Sequence, residues 1–295
     1  MADYSIWVLE YSYVPNYHKS GVLYGAHNEG YVKLPYCYVV IKGRDHVAMV
    51  DVGYNDKDYG KTLGDRFGVE NWRDPRTVLA EVGVTPEEVD TCFVTHAHFD
   101  HFGNVEDFPN TKFYIQEREI SKWVWAMSLP DRMRWMMVAV DPGDIVRAVD
   151  LARDKRLVTI NGAMEDVLPG IDLHAAPDSH TWGSMWVTVR NDGQQDSKDT
   201  WVLAGDLVYQ FDNISNNGAV VDVEEMYTPV GLAVGSQTNL VLATEEMMSQ
   251  VDYEARRVIP IHEERLVDTF PSRISKEGLR ITEICLADGE SSKVA

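Results

Sequence analysis

The chain has 295 residues, 44% of them hydrophobic and 25% charged, which excludes a disordered or fibrous protein and suits one large domain or two small ones. Its net charge of −20 repels phosphate backbones and argues against a nucleic-acid partner. No apolar run approaches the roughly 18 residues that span a membrane, the opening MADYSIWVLEY does not read as a signal peptide, and Cys37, Cys92 and Cys285 form no disulfide framework; a cytoplasmic protein is expected.

The first third is rich in strand patterns. Residues 36–41 read as a strand, 42–45 as a turn and 47–50 as a buried strand running into Asp51-Val52-Gly53, together a β-hairpin. Residues 71–82 carry Trp72, Val78, Leu79 and Val82 at helical spacing, and Thr85-Pro86 reads as a cap followed by a first-turn proline. The β-branched run 91–95 is a strand that ends directly at His96. Residues 117–150 are helical, broken at Pro130-Asp131, with Asp141-Pro142-Gly143-Asp144 closing the second helix. Strands follow at 158–160, 171–175, 185–189 and, after the polar loop 191–196, at 200–204. A helix over 240–251, a last buried strand at 257–261 and a frayed tail from Asp288 complete the pattern. With no repeat and no linker, residues 1–295 are expected to form a single α/β domain.

His96-Ala97-His98-Phe99-Asp100-His101 packs four metal-ligating side chains into six residues just after a buried strand. Imidazole and carboxylate suit Zn²⁺, Mn²⁺ or Fe²⁺. Two histidines two apart project to one side of an extended segment, so His96 and His98 can share an ion, and Asp100 and His101 can face a second. The remaining ligands should come from other strand ends. His180 follows the 171–175 strand, Asp206 the 200–204 strand and His262 the 257–261 strand. His18, His27, His46 and His174 have no partner at ligand spacing. Ser179 and Ser184 lack a nucleophile elbow, and Cys92 lies inside a strand.

In the order of these motifs the sequence resembles the metallo-β-lactamase superfamily across roughly residues 35–265. The resemblance implies an αβ/βα four-layer sandwich with a helical insertion at about 117–150. It further implies that His96, His98 and His180 bind one divalent ion, that Asp100, His101 and His262 bind the second, and that Asp206 bridges them. Zinc is the first choice, with iron or manganese as alternatives. Asp51 would orient a ligand imidazole. Within the superfamily the chain looks most like the N-acyl-homoserine lactonases, because Tyr209 follows the bridging Asp206 by three positions. This implies a hydrolase in which a hydroxide bridging the metals attacks a lactone or other ester-type small molecule, with Tyr209 holding the carbonyl oxygen and Asp100 carrying the proton to the leaving group. The separation of His101 from His180 is longer than in compact lactonases, and the extra length falls in the helical stretch. Aryl esters, aryl ethers, amides or glutathione thioesters are alternative substrates, and a mono-iron persulfide dioxygenase is a rival activity.

Trp123, Trp125, Met127, Met133, Trp135, Met136 and Met137 crowd the insertion. Such adaptable apolar surface fits a lid over an aromatic or acyl substrate group, a core, or the interface of a homo- or hetero-oligomer. The segment 211–237, after the bridging ligand, is expected to border the pocket.

Overall fold

The computed structural model describes residues 3–215 and 226–295. Thirteen strands among these residues form two sheets. The larger holds β1 (Ser5–His18), β2 (Tyr31–Lys42), β3 (Val47–Val50), β4 (Thr91–Phe93), β5 (Lys112–Gln116), β6 (Leu157–Ile160), β12 (Ser272–Ile274) and β13 (Arg280–Cys285), in the order β12-β13-β1-β2-β3-β4-β5-β6. The smaller holds β7 (Met164–Leu168), β8 (Ile171–Pro177), β9 (Gly183–Arg190), β10 (Thr200–Leu203) and β11 (Val258–Ile259), in the order β11-β10-β9-β8-β7.

Alternation along the strands builds the layers. On β1, Ile6 and Val8 join one buried cluster while Trp7 and Leu9 join the other; Val39 and Ile41 are separated in the same way from Tyr38 and Val40 on β2. Successive strand residues point to opposite faces, so both faces of this sheet are covered. The first cluster is the filling between the sheets, where Val39, Val50 and Phe93 meet Leu173, Val187 and Leu203. Helices cover the outer faces: Leu240 and Met247 of the Gln237–Ser249 helix pack with Trp186 and Val202. The result is the mixed α/β sandwich expected, with helices outside two facing sheets.

Strands β3, β4, β5 and β6 run parallel, so their carboxyl ends share one edge. On the second sheet, β10 and β11 are parallel too. Parallel strand ends are where α/β sheets present functional side chains.

Several elements differ from the sequence reading. The helix expected from residue 71 starts at Pro75, because Asp74 caps it by accepting from the Thr77 amide at 3.0 Å, and it passes into a 3₁₀ turn at Ala80–Val82. Asp141-Pro142-Gly143-Asp144 opens a helix rather than closing one: Asp141 accepts from the Gly143 amide and Pro142 takes the first turn of Pro142–Arg153. The helical stretch therefore comprises the Glu117–Met127 helix, a 3₁₀ stretch Asp131–Met137 and this third helix. Strand β11 is not the last, since β12 and β13 extend the first sheet beyond β1. The tail is tied down as well, with Lys293 N donating to Glu283 at 3.0 Å and Lys293 O accepting from Arg273 at 2.6 Å.

Candidate metal centre

Four loops at the shared edge bring the ligand-type residues together. His96 and His98 follow β4, and Asp100 and His101 sit in the short Phe99–Phe102 helix. His180 lies in the β8–β9 turn, Asp206 in the Gly205–Leu207 turn after β10, and His262 after β11. Gly205 adopts a left-handed φ of +53°, and a Cβ there would lie 2.8 Å from Thr95, so the approach of Asp206 to the His96 loop demands glycine.

The side chains form two groups, His96, His98, His180 and Asp206, and Asp100, His101 and His262, with donor atoms no more than 4.8 Å apart within each. Asp206 stands between them. Its Oδ2 faces His180 Nε2 at 3.2 Å and His96 Nε2 at 3.6 Å, while its Oδ1 faces His101 Nε2 at 3.1 Å and His262 Nε2 at 3.0 Å. His98 turns Nδ1 toward His180 Nε2 at 3.0 Å. Asp100 Oδ2 lies 3.5 Å from His101 Nε2 and 4.0 Å from His262 Nε2.

The donor set fits divalent ions of the zinc type. It is all imidazole and carboxylate, without thiolate. Nε2 of His96, in the first group, and Nε2 of His101, in the second, are both buried without a hydrogen-bond partner, although both lie near Asp206, so each group holds a polar atom that a bound ion would satisfy. Three of the far nitrogens are braced, while His180 Nδ1 is buried without a partner. His101 Nδ1 meets Asp51 at 2.7 Å, His262 Nδ1 meets the Pro35 carbonyl at 2.6 Å, and His96 Nδ1 meets the Thr95 hydroxyl at 3.0 Å. Asp51 also accepts from the Thr95 amide and hydroxyl at 2.7 and 2.8 Å, so the carboxylate holds an imidazole and the strand end at once.

Electrostatics divides the imidazoles. Burial, with neighbouring imidazoles, pushes His96 well down and His98 down to about 3, leaving both neutral. Burial would lower His101 and His262 too, but the carboxylates of Asp206 and Asp100 outweigh it and raise both. Asp206 is held well below the usual carboxylate range against its burial by His101, His262, His96 and His180.

Tyr209 is buried beside this cluster, its ring 4.7 Å from His262 and 5.8 Å from His180. Burial first, then Asp206, lifts the phenol well above its ordinary range, so it stays protonated. Other histidines lie apart: His18 packs on Tyr31, His46 pairs with Asp90 at 3.3 Å, and His174 stacks on Trp186. Sequence reasoning missed the bracing by Thr95 and Pro35, and Glu119, which bonds into two ligand loops.

The aromatic residues of the helical stretch split by position. Trp123 is fully buried, packing edge-on against Trp182 and 5.9 Å from His98, whereas Trp125 and Trp135 are exposed. Trp135, Met127, Met137, Leu129 and Val138 line a cavity of about 650 Å³ together with Tyr59 and Arg66. Of the segment 211–237, residues 216–225 lie outside the described residues, and Tyr227 packs against the core.

Residues 30–262 match the model of the metallo-beta-lactamase superfamily. The chain belongs to that superfamily. The N-acyl homoserine lactonase AiiB of Agrobacterium fabrum (strain C58 / ATCC 33970) is 25% identical over 135 residues, so the match spans about half the length of either protein, 46% of each. A quorum-quenching N-acyl homoserine lactone lactonase superposes with a TM-score of 0.64 at 16% identity, covering 91% of this chain and 96% of its own. AidC, a dizinc quorum-quenching lactonase, gives 0.63 at 14% identity, covering 95% and 94%. A probable metal-dependent hydrolase from Staphylococcus aureus gives 0.63 at 18% identity, covering 90% and 91%. These likenesses show the fold. Strands β1, β12 and β13 lie outside the matched residues except for the contacts they make with the rest of the first sheet. Among the described residues no helix is long and apolar enough to cross a membrane.

Proposed function

We propose that the protein is a binuclear metal-dependent hydrolase of a lactone or related ester-type small molecule, acting as a single unit over residues 1–295. The observation that carries this reading is Asp206, which offers one carboxylate oxygen to each of two buried ligand groups. His96, His98 and His180 would hold one ion, Asp100, His101 and His262 the other, and Asp206 both. Two divalent ions there would supply a Lewis acid for the carbonyl oxygen and a water acidic enough to attack near neutral pH.

The chain's own residues supply the rest. Tyr209 keeps its proton and can donate it in a hydrogen bond to the carbonyl oxygen as charge develops there. Asp100 is the most exposed of the seven residues, at 8%, and is therefore placed to pass a proton to a departing alkoxide. The cavity beside Trp135 would take the apolar acyl or aromatic part of the substrate. A mono-iron dioxygenase would leave the complete group Asp100, His101 and His262 without purpose.

The test is a panel of lactones, thioesters and aryl esters, assayed on protein stripped with chelator and then reloaded with zinc, manganese or iron. Lactone hydrolysis that disappears on stripping and returns with about two metals per chain is expected. Full turnover without metal, or one iron per chain with oxygen consumption, overturns the proposal.

A further inference from the structure

Glu119 lies in the first turn of the Glu117–Met127 helix, fully buried, with no cation paired to it among the described residues. A buried carboxylate without a cation is costly unless hydrogen bonds satisfy it. Four do. Oε1 accepts from the Ala97 amide at 2.9 Å and the Trp123 indole at 2.7 Å; Oε2 accepts from the Thr181 hydroxyl at 2.8 Å and the Gly183 amide at 2.7 Å.

The partners matter more than their number. Ala97 stands between His96 and His98, while Thr181 and Gly183 follow His180. Each carboxylate oxygen therefore reaches a different ligand-bearing loop. Three of the donors, two backbone amides and an indole, can only donate, so the site demands two full acceptor oxygens. The fit is close: a Cβ on Gly183 would lie 2.5 Å from the Glu119 amide nitrogen.

We propose that Glu119 is a positioning residue that clamps the His96–His98 loop to the His180 loop and so sets the three-imidazole face of the first metal site. The inference rests on the reading that these histidines bind metal. Through the same helix it joins that face to the helical stretch, since Trp123 is both a donor to Glu119 and the residue packed beside His98.

Glu119→Gln is nearly isosteric yet replaces one acceptor oxygen with a donating amide. Turned toward Ala97 and Trp123, the amide meets two fixed donors. Turned toward Thr181 and Gly183, it meets a hydroxyl that can rotate to accept and one fixed amide. The second orientation costs less, so the damage falls on the His180 loop. Partners of this kind typically change metal affinity about 10–100-fold.

The experiment is zinc competition against a chromophoric chelator, with the cobalt(II) absorption spectrum and melting temperature recorded with and without metal. E119Q should lose about 10–100-fold in affinity at one of the two sites. Its cobalt spectrum should change, and metal should raise its melting temperature less than it raises that of the wild type. Equal falls in melting temperature with and without metal, at unchanged affinity, would mean a merely structural role and overturn the proposal. If E119Q does not fold, Thr181→Val removes one donor and keeps the charge. A severalfold loss at the same site is then expected, and unchanged affinity again overturns the clamp. Should the wild type itself take up no metal, the metal-site reading fails instead, which is a separable outcome.

Discussion

Trp123 and Trp135 stand 12 residues apart in the same helical stretch, and their exposures of 0% and 61% predict opposite consequences for the same substitution. Trp123→Ala removes an indole that packs on Trp182 at 4.5 Å and donates to Glu119. Deleting a buried Trp costs about 3–5 kcal/mol, and at about 2 °C per kcal/mol for a chain of this size the melting temperature should fall roughly 6–10 °C. Trp135→Ala removes a largely exposed side chain, so stability should change by no more than about 0.5 kcal/mol. Its effect should appear in specificity, because Trp135 lines the 650 Å³ cavity. Losing one apolar contact is worth about 1–3 kcal/mol of discrimination, or roughly 10- to 200-fold in relative kcat/KM between short and bulky substrates. The assay is thermal melting plus kcat/KM on a graded series of lactones, with metal content checked for each variant. If Trp135→Ala leaves the substrate ranking intact, the cavity is not the substrate pocket. If Trp123→Ala melts like the wild type, the packing argument fails.

Asp206→Ala should remove metal from both sites and nearly abolish turnover, since one oxygen faces each group; metal analysis showing a single site emptied would contradict the bridging role. Tyr209→Phe should retain both metals and lower kcat by up to about a hundredfold, with an unchanged rate on the preferred substrate removing the phenol from the chemistry.

The candidate ligands that the fold gathers were legible because chemistry and position coincide in them. Four stand in six consecutive residues, and His180, Asp206 and His262 each follow an apolar run that delivers them to the sheet edge. Strand β1 was hidden because both of its faces are buried: Ile6, Trp7, Val8 and Leu9 show no apolar–polar alternation, and Pro15 interrupts the run. The turn at Asp141 was misjudged because Pro-Gly reads as a stop, while Asp before Pro is equally a helix start. Glu119 could not be singled out, since a glutamate in a helix's first turn is ordinary for dipole reasons alone. Its function depends on two loops 22 and 62 to 64 residues away in sequence. Trp123 and Trp135 are the same residue type, and only the fold separates them, one on a packed α-helix and the other on an exposed 3₁₀ stretch.

Charge links the ligand groups to their surroundings. Asp51, Asp100, Asp206 and Glu119 are all buried at or beside the site, a formal −4 that two divalent ions would balance. In the metal-free protein the carboxylates of Asp206 and Asp100 raise His101 and His262 and so favour protons there that offset part of that charge, while burial lowers His96 and His98. A metal binds only the neutral imidazole nitrogen, so loading must expel the protons that His101 and His262 carry. At pH 7.5 ordinary imidazoles, with a pKa of about 6.5, would release almost none. With both pKa values raised by the carboxylates, these two should release more protons than ordinary imidazoles would, and metal affinity should rise as pH rises until both are neutral. Calorimetry of zinc binding in buffers of different ionisation enthalpy measures the number directly. A release near zero at pH 7.5 would mean that the buried carboxylates do not hold protons on His101 and His262, and the electrostatic account of the site would fall with it.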